Sequence, residues 1–356
     1  MRVVVCGRGA TDTRSPLWAH AVCSMRALGH EVVAFDATSP GRSGLVRGGP
    51  EESLRRLLME TSPHLFVHFP TPGDLDPALV REATTSSQSV AVAVHMGSTM
   101  VDAPTRVTDV DTHLRFYDLV TVPDPDTYRS LLPLGDYRIR LLEPAAHVPV
   151  FDSAVDIDRR GVVVVGEPDD VAADMVRTLV DAGVEVSLYG AGWSLQADLE
   201  PRSFPRVPYT EMGTVLASAG LVLEINPPVT VLSNLGISAW EAGPAQCVFD
   251  AASVATPSVA LARPGVDAFF RPGTDIFTFE RIPELAELVP MLLADQETLT
   301  RTGEAALDRI RSGHLWTDRW VDFLAPFNVP DDDGELVVVI EESSAEHPAS
   351  ASSLSV

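Results

Sequence analysis

The run VFDAASVATP, residues 248–257, sets one carboxylate, Asp250, at the head of a stretch of small residues. A carboxylate there can accept hydrogen bonds from ligand hydroxyls. The first N–H groups of the helix, with Ala251 among the residues that follow the acid, can face an anion. The bland alternative is an acid that only complements its own helix dipole. His95 closes the apolar run SVAVAVH, where a strand-end imidazole either takes a proton from a bound hydroxyl or caps a loop. His68 stands near the end of the preceding run, HLFVHF, with the same two readings. Gly166, Gly190 and Gly192 sit at the ends of GVVVVG and VEVSLYGAG, where backbone without a Cβ can approach a phosphate or sugar closely. Trp193 follows them and either stacks on a base or packs. Asn226 ends LVLEIN and can hydrogen-bond a ligand. Gly9 and Thr11 lie in the first turn, CGRGATD, which either approaches a ligand or is merely tight.

Other chemistries find no support. GRGATD has Asp12 where a dinucleotide fingerprint needs its third glycine, although Asp36 follows the second strand. A P-loop is impossible, because all 26 basic residues are arginine. HExxH and GxSxG are absent. Cys6, Cys23 and Cys247 are far apart and odd in number, which argues against a disulfide framework or a zinc site. A net charge of −24 repels nucleic-acid phosphates and anionic lipid, so neither is an expected partner. The N-terminus reads as a strand rather than a signal peptide, and no apolar run is long enough to span a membrane. The expectation is a soluble cytoplasmic protein.

The elements that must position these residues alternate strand and helix. RVVVC, EVVAF, HLFVHF, SVAVAVH, DLVTV and RIRLL read as strands, with amphipathic segments between them, among them PLWAHAVCSMRALG and DTYRSLL. Pro-rich sequence near residues 143–156 breaks the pattern. It then restarts as GVVVVG, VEVSLYG and LVLEIN with intervening helices. The predicted fold class is α/β: two Rossmann-like, doubly wound parallel-sheet domains facing a cleft. The first domain spans residues 1–150 and the second 151–312. A closing helix, 313–330, packs back on the first domain. The acidic, Ser-rich tail, 331–356, is partly disordered.

The order of weak motifs carries a resemblance. The segment from VFDAASVATP through RPGVDAFFRPGTDI resembles F-E-A-x-A-C-G-T-P followed by an apolar strand and G-x-x-x-x-F-x-x-G-x-D/E in GT-B glycosyltransferases of group 1. It is nearest to the branch of CgeB-like spore-maturation proteins. RGVVVVG, YGAGW and the pattern His314, Leu315, Trp316, Arg319 are similar to further parts of that family. The resemblance implies an acceptor-binding first domain, with Gly9, Thr11 and His68 on that side and His95 acting on the acceptor. It implies a second domain that holds a nucleotide-sugar donor through Gly166, Gly190, Gly192, Trp193, Asn226, Asp250 and Ala251. Asp250 would be catalytic as well. It further implies no metal, no cofactor beyond the donor, and retention of configuration. The departures are Asp250 for the family's Glu, Val254-Ala255 for its Cys-Gly, and Glu241 one residue away from an E-x7-E spacing. Acidic GEPDD replaces the usual diphosphate-gripping cation, for which Arg206, Arg263 and Arg271 are the substitutes at hand. A small-molecule acceptor, such as a secondary metabolite, or a cell-surface acceptor is expected. The alternatives are a degenerate scaffold that only binds a nucleotide or glycan, and a nucleotide-sugar-modifying enzyme.

Overall fold

In the computed structural model, the described residues are 1–38, 49–71, 74–94, 115–123, 125, 128, 138–147, 159–225, 243–327, 329–330 and 336–337. They form two six-stranded parallel sheets. The first contains β1 (Arg2–Gly7), β2 (Glu31–Phe35), β3 (Leu65–Phe69), β4 (Val90–Val94), β5 (Leu119–Val122) and β6 (Ile139–Leu141), in the order β2-β1-β3-β4-β5-β6. The second contains β7 (Arg160–Val165), β8 (Val186–Tyr189), β9 (Ser203–Phe204), β10 (Ala219–Leu223), β11 (Ser258–Leu261) and β12 (Phe277–Phe279), in the order β12-β11-β10-β7-β8-β9. In each sheet the winding reverses once, between β1 and β3 and between β7 and β10. Crevices that receive ligands open at such points, beyond the C-terminal strand ends.

The β-branched runs form strands because both of their faces are covered. Val3 and Val5 join one cluster and Val4 and Cys6 another, on the opposite side of the sheet. In β7, Val162 and Val164 face one cluster and Val163 the other. Asp169 caps the helix Asp170–Asp181 by accepting from Ala172 N at 2.7 Å. An acid of the GEPDD turn thus holds the helix terminus that faces the strand ends. The helix Trp316–Leu324 places Trp316, Trp320, Phe323 and Leu324 at positions i, i+4, i+7 and i+8. All four pack with Val3, Val5 and Leu17 of the first domain.

Several elements differ from, or were not part of, the sequence expectation. The helix drawn over residues 16–29 opens as a π-helical turn, Trp18–Cys23, and becomes α-helical only over Ser24–Ala27. Two short edge strands, β9 and β12, had no periodic signal to reveal them. Leu336–Val337, within the apolar run LVVVI, pairs antiparallel with Val329–Pro330. The expected helix DTYRSLL lies largely outside the described residues. No described helix is long and apolar enough to cross a membrane.

Candidate functional site

The two domains meet through hydrogen bonds made by the residues beside the crevices. Tyr209 N–H donates to Arg14 O at 2.8 Å, and Trp320 Nε1 donates to His20 O at 2.6 Å. Ala146 N–H donates to His314 O, and Trp316 N–H returns a bond to Ala146 O. The closing helix is thereby stitched to the end of the first domain.

Asp250 lies at this seam. The helix that carries it runs Gln246–Ser253, so Asp250 belongs to its second turn and not to its head, and the whole helix is buried. Ala251 is likewise inside the helix and fully buried, past the N–H groups that a helix terminus offers to an anion. The true start is organised by tertiary contacts. Glu224, just beyond β10, accepts Ala245 N–H at 2.7 Å. It also pairs bidentately with Arg263 at 2.7 and 2.8 Å, both side chains being almost fully buried. Arg263 donates in addition to Gly243 O and Leu261 O. The sequence reading offered Arg263 as a grip for a diphosphate; the structure spends its guanidinium on Glu224. Arg271 pairs with Asp275, and Arg206 lies 3.6 Å from Glu167 at the surface.

The Asp250 carboxylate accepts from Tyr209 Oη at 2.8 Å and from Gln246 Nε2 at 2.9 Å, both at Oδ1. Burial pushes its pKa up to about 7 against the pull of these two donors. The acid therefore stands in the range where it can give or take a proton near neutrality. His20 Nε2 lies 2.7 Å from Tyr209 Oη. Burial, with His147 nearby, lowers the His20 pKa well below its ordinary value, so the ring is neutral at pH 7.

The glycines keep the backbone approach that their type suggested. Gly166 and Gly190 have positive φ, and a Cβ on Gly190 would stand 2.1 Å from Gly166 O. The ends of β7 and β8 touch there because neither residue has a side chain. Gly192, at φ +94°, turns the chain into Trp193. Trp193 itself corrects the stacking expectation: it is fully buried, and its Nε1 donates to Gly166 O at 2.8 Å. No face of the ring is open to a base; it braces the glycine turn from within.

On the first domain, Gly9 has φ +80° and donates to Asp36 Oδ2 at 2.8 Å, while its carbonyl accepts from Ser15 Oγ. Asp36 is thus committed to the first turn. Thr11 is exposed on that turn. His68 is a correction. It is buried, with Nδ1 2.5 Å from Tyr117 Oη and Nε2 3.1 Å from Asp74 Oδ2, so its ring is enclosed and does not line an open surface. His95, Asn226 and Glu241 lie outside the described residues. Among the described residues, no three His, Cys, Asp or Glu side chains group as a metal site.

The sequence carries no local motif that gives Tyr209, Gln246, Glu224 or His20 a role at the site. A buried acid after an apolar strand was the available signal for Glu224. Gln246 lies one turn before Asp250 on the same helix, at the i, i+4 spacing that lets the two side chains meet, whereas Tyr209 and His20 are brought to it only by the meeting of separate elements.

Residues 159–325 match a family model, Glyco_trans_1_2, described as glycosyl transferase-like. No curated protein matches the sequence at a significant level. Among solved structures, sucrose-phosphate synthase from Thermosynechococcus elongatus superposes at TM-score 0.62 with 12% identity, over 91% of this chain and 97% of that one. HepE from Anabaena in complex with UDP-glucose gives 0.61 at 11% identity, over 91% and 99%. A glycosyltransferase from Rickettsia africae gives 0.60 at 8% identity, over 91% and 97%. The two facing parallel-sheet domains are the GT-B fold of these glycosyltransferases.

Proposed function

We propose that the protein is a glycosyltransferase that holds a nucleoside diphosphate sugar in its second domain and presents an acceptor hydroxyl from its first. The acceptor oxygen would bond to the anomeric carbon as the bond from that carbon to the diphosphate breaks. The acceptor proton leaves to a base, and the nucleoside diphosphate departs. The observation that carries this reading is the family match over residues 159–325, which spans the second domain and includes the helix Gln246–Ser253. Its start is held in register by Glu224 and Arg263 beside the β7–β10 reversal. The UDP-glucose complex of HepE supports a uridine nucleotide as the first donor to try. The likeness of residues 248–276 to the CgeB-like branch supports a donor site that works without a metal, and retention of configuration. A small-molecule or cell-surface acceptor remains the reading for the first domain.

One observation favours a second reading. Asp250, the family's donor-side acid, is buried and hydrogen-bonded within the protein. A scaffold that binds a nucleotide without turning it over would tolerate this. Thermal-shift and calorimetric titration with UDP, dTDP, GDP and ADP, with and without magnesium, separates the cases when followed by release of nucleoside diphosphate from the matching sugar donor. Binding with metal-independent turnover supports the transferase. Binding with no turnover for any acceptor supports the scaffold, and no binding removes the donor site.

A further inference from the structure

Asp250 is reached from the first domain by two separate hydrogen-bond paths. The Tyr209 hydroxyl has one hydrogen, and it points to Asp250 Oδ1. The 2.7 Å contact between Tyr209 Oη and His20 Nε2 must then be filled by the His20 proton, which fixes the neutral Nε2–H tautomer. The path runs His20 N–H to Tyr209 O–H to the carboxylate, every donor aimed at Asp250. Gln246 Nε2 has two hydrogens. One goes to Asp250 Oδ1 and the other, at 2.8 Å, to Ala145 O at the end of the first domain. Two elements of the first domain, the π-helical turn and the segment after β6, therefore converge on one oxygen of a second-domain side chain.

The first-domain anchor is itself held. The His20 ring stacks on Trp316 with centroids 5.1 Å apart and planes 18° apart, and its carbonyl accepts from Trp320 Nε1. Ser24 Oγ lies 3.2 Å from His147 Nδ1 beside it. Among the described residues, the titratable groups around the carboxylate are His20, His147, Tyr209, Cys247 and Glu224. Among the same residues, the donors to Asp250 are the neutral Tyr209 hydroxyl and Gln246 amide.

We infer that Tyr209 and Gln246 are positioning residues which tie the orientation of the Asp250 carboxylate to engagement of the two domains, so that the donor site is completed from across the seam. This rests on the donor reading above. The chain ends at a single oxygen and leaves Oδ2 as the atom that a donor hydroxyl would meet once the side chain is set. If the first domain moved away, the outer links His20–Tyr209 and Gln246–Ala145 would be cut at once, and the two side chains that bond the carboxylate would lose the anchors that fix them.

The test uses the full chain with Cys23→Ala and spin labels at Met59→Cys and Met291→Cys, two exposed positions on opposite domains. Pulsed distance measurements are paired with calorimetry of UDP. The parent should give one narrow distance. Tyr209→Phe keeps the ring but removes the hydroxyl; it should broaden the distribution and weaken UDP at least tenfold. Gln246→Met should do the same by the second path. His20→Gln, which retains an N–H in a similar place, should restore narrow distances and near-parental affinity, whereas His20→Leu should not. Packing alone would leave Tyr209→Phe unaffected and make both His20 variants alike, and that result would overturn the inference while sparing the donor reading. If the parent binds no UDP, the donor reading falls for this nucleotide, and the distances alone decide whether the paths hold the domains. A variant with lost circular dichroism is set aside in favour of the other path's variant.

Discussion

The Asp250 carboxyl illustrates a cost that local sequence does not announce. In the unfolded chain it has an ordinary pKa near 3.8, and in the folded chain about 7. An acid whose folded pKa is raised favours the native state most when protonated. That contribution is fully present below pH 3.8 and is lost as pH rises through 7. The shift corresponds to about 4 kcal/mol between these limits. Asp250→Asn, which keeps the shape and removes the charge, should therefore gain on the wild type as pH rises from 5 to 8 in urea unfolding. A pH-independent difference would mean that the acid is solvated in the folded state. Tyr209→Phe removes one of the two donors that hold the ionised form, so the transition should move further upward, above pH 7. Its midpoint can be read from the same unfolding series. His20 and His147 do not produce this slope. Burial lowers both, His147 to about 4, so their contributions are lost on acidification below pH 6.5 and level off above it.

At the scale of elements, two devices hold the strand ends where a donor would bind. Glu224 and Arg263 form a buried pair that also fixes Ala245 and Gly243. Removing one partner strands a charge, so Glu224→Gln or Arg263→Met alone should cost about 3–5 kcal/mol by urea unfolding. The double replacement by methionine should cost less than the sum, because no charge is then left unpaired. Gly190 is the second device. Gly190→Ala drives a Cβ into Gly166 O and should destabilise by about 2 kcal/mol or more, while Gly183→Ala, which meets nothing within 4 Å, should cost about 1 kcal/mol. These devices mark where the sequence was readable. Doubly buried strands such as residues 2–7 and 160–165 announce themselves by unbroken β-branched runs, and the β-α alternation sufficed for the two-sheet architecture. The start of the Gln246–Ser253 helix was not readable. Its first carboxylate partner comes from Glu224, 21 residues upstream, so small residues near Asp250 were mistaken for the helix head. Trp193 followed a cleft glycine, which suggested a ligand contact. Only the packing of the second domain shows that its ring points inward.

Over the whole molecule, charge decides how an anionic donor of the kind proposed would arrive. The chain carries −24 with no lysine at all. In the second domain, Arg263 is matched by Glu224, Arg271 by Asp275 and Arg206 by Glu167, so these cations leave no net positive field to offset the rest. A nucleoside diphosphate approaching such a surface is repelled at long range, and salt screens that repulsion over a Debye length of about 10 Å at 0.1 M. Raising sodium chloride from 20 to 150 mM should therefore tighten UDP binding, or speed its association, by a factor of about 2–3. That is opposite in sign to the usual response of phosphate-binding proteins. Stopped-flow association with a fluorescent UDP analogue checks the rate and calorimetry checks the affinity. Weakening with salt would show that a local cluster of arginines outweighs the global charge, and would direct mutagenesis to the arginines outside the described residues before any of the three ion-paired ones.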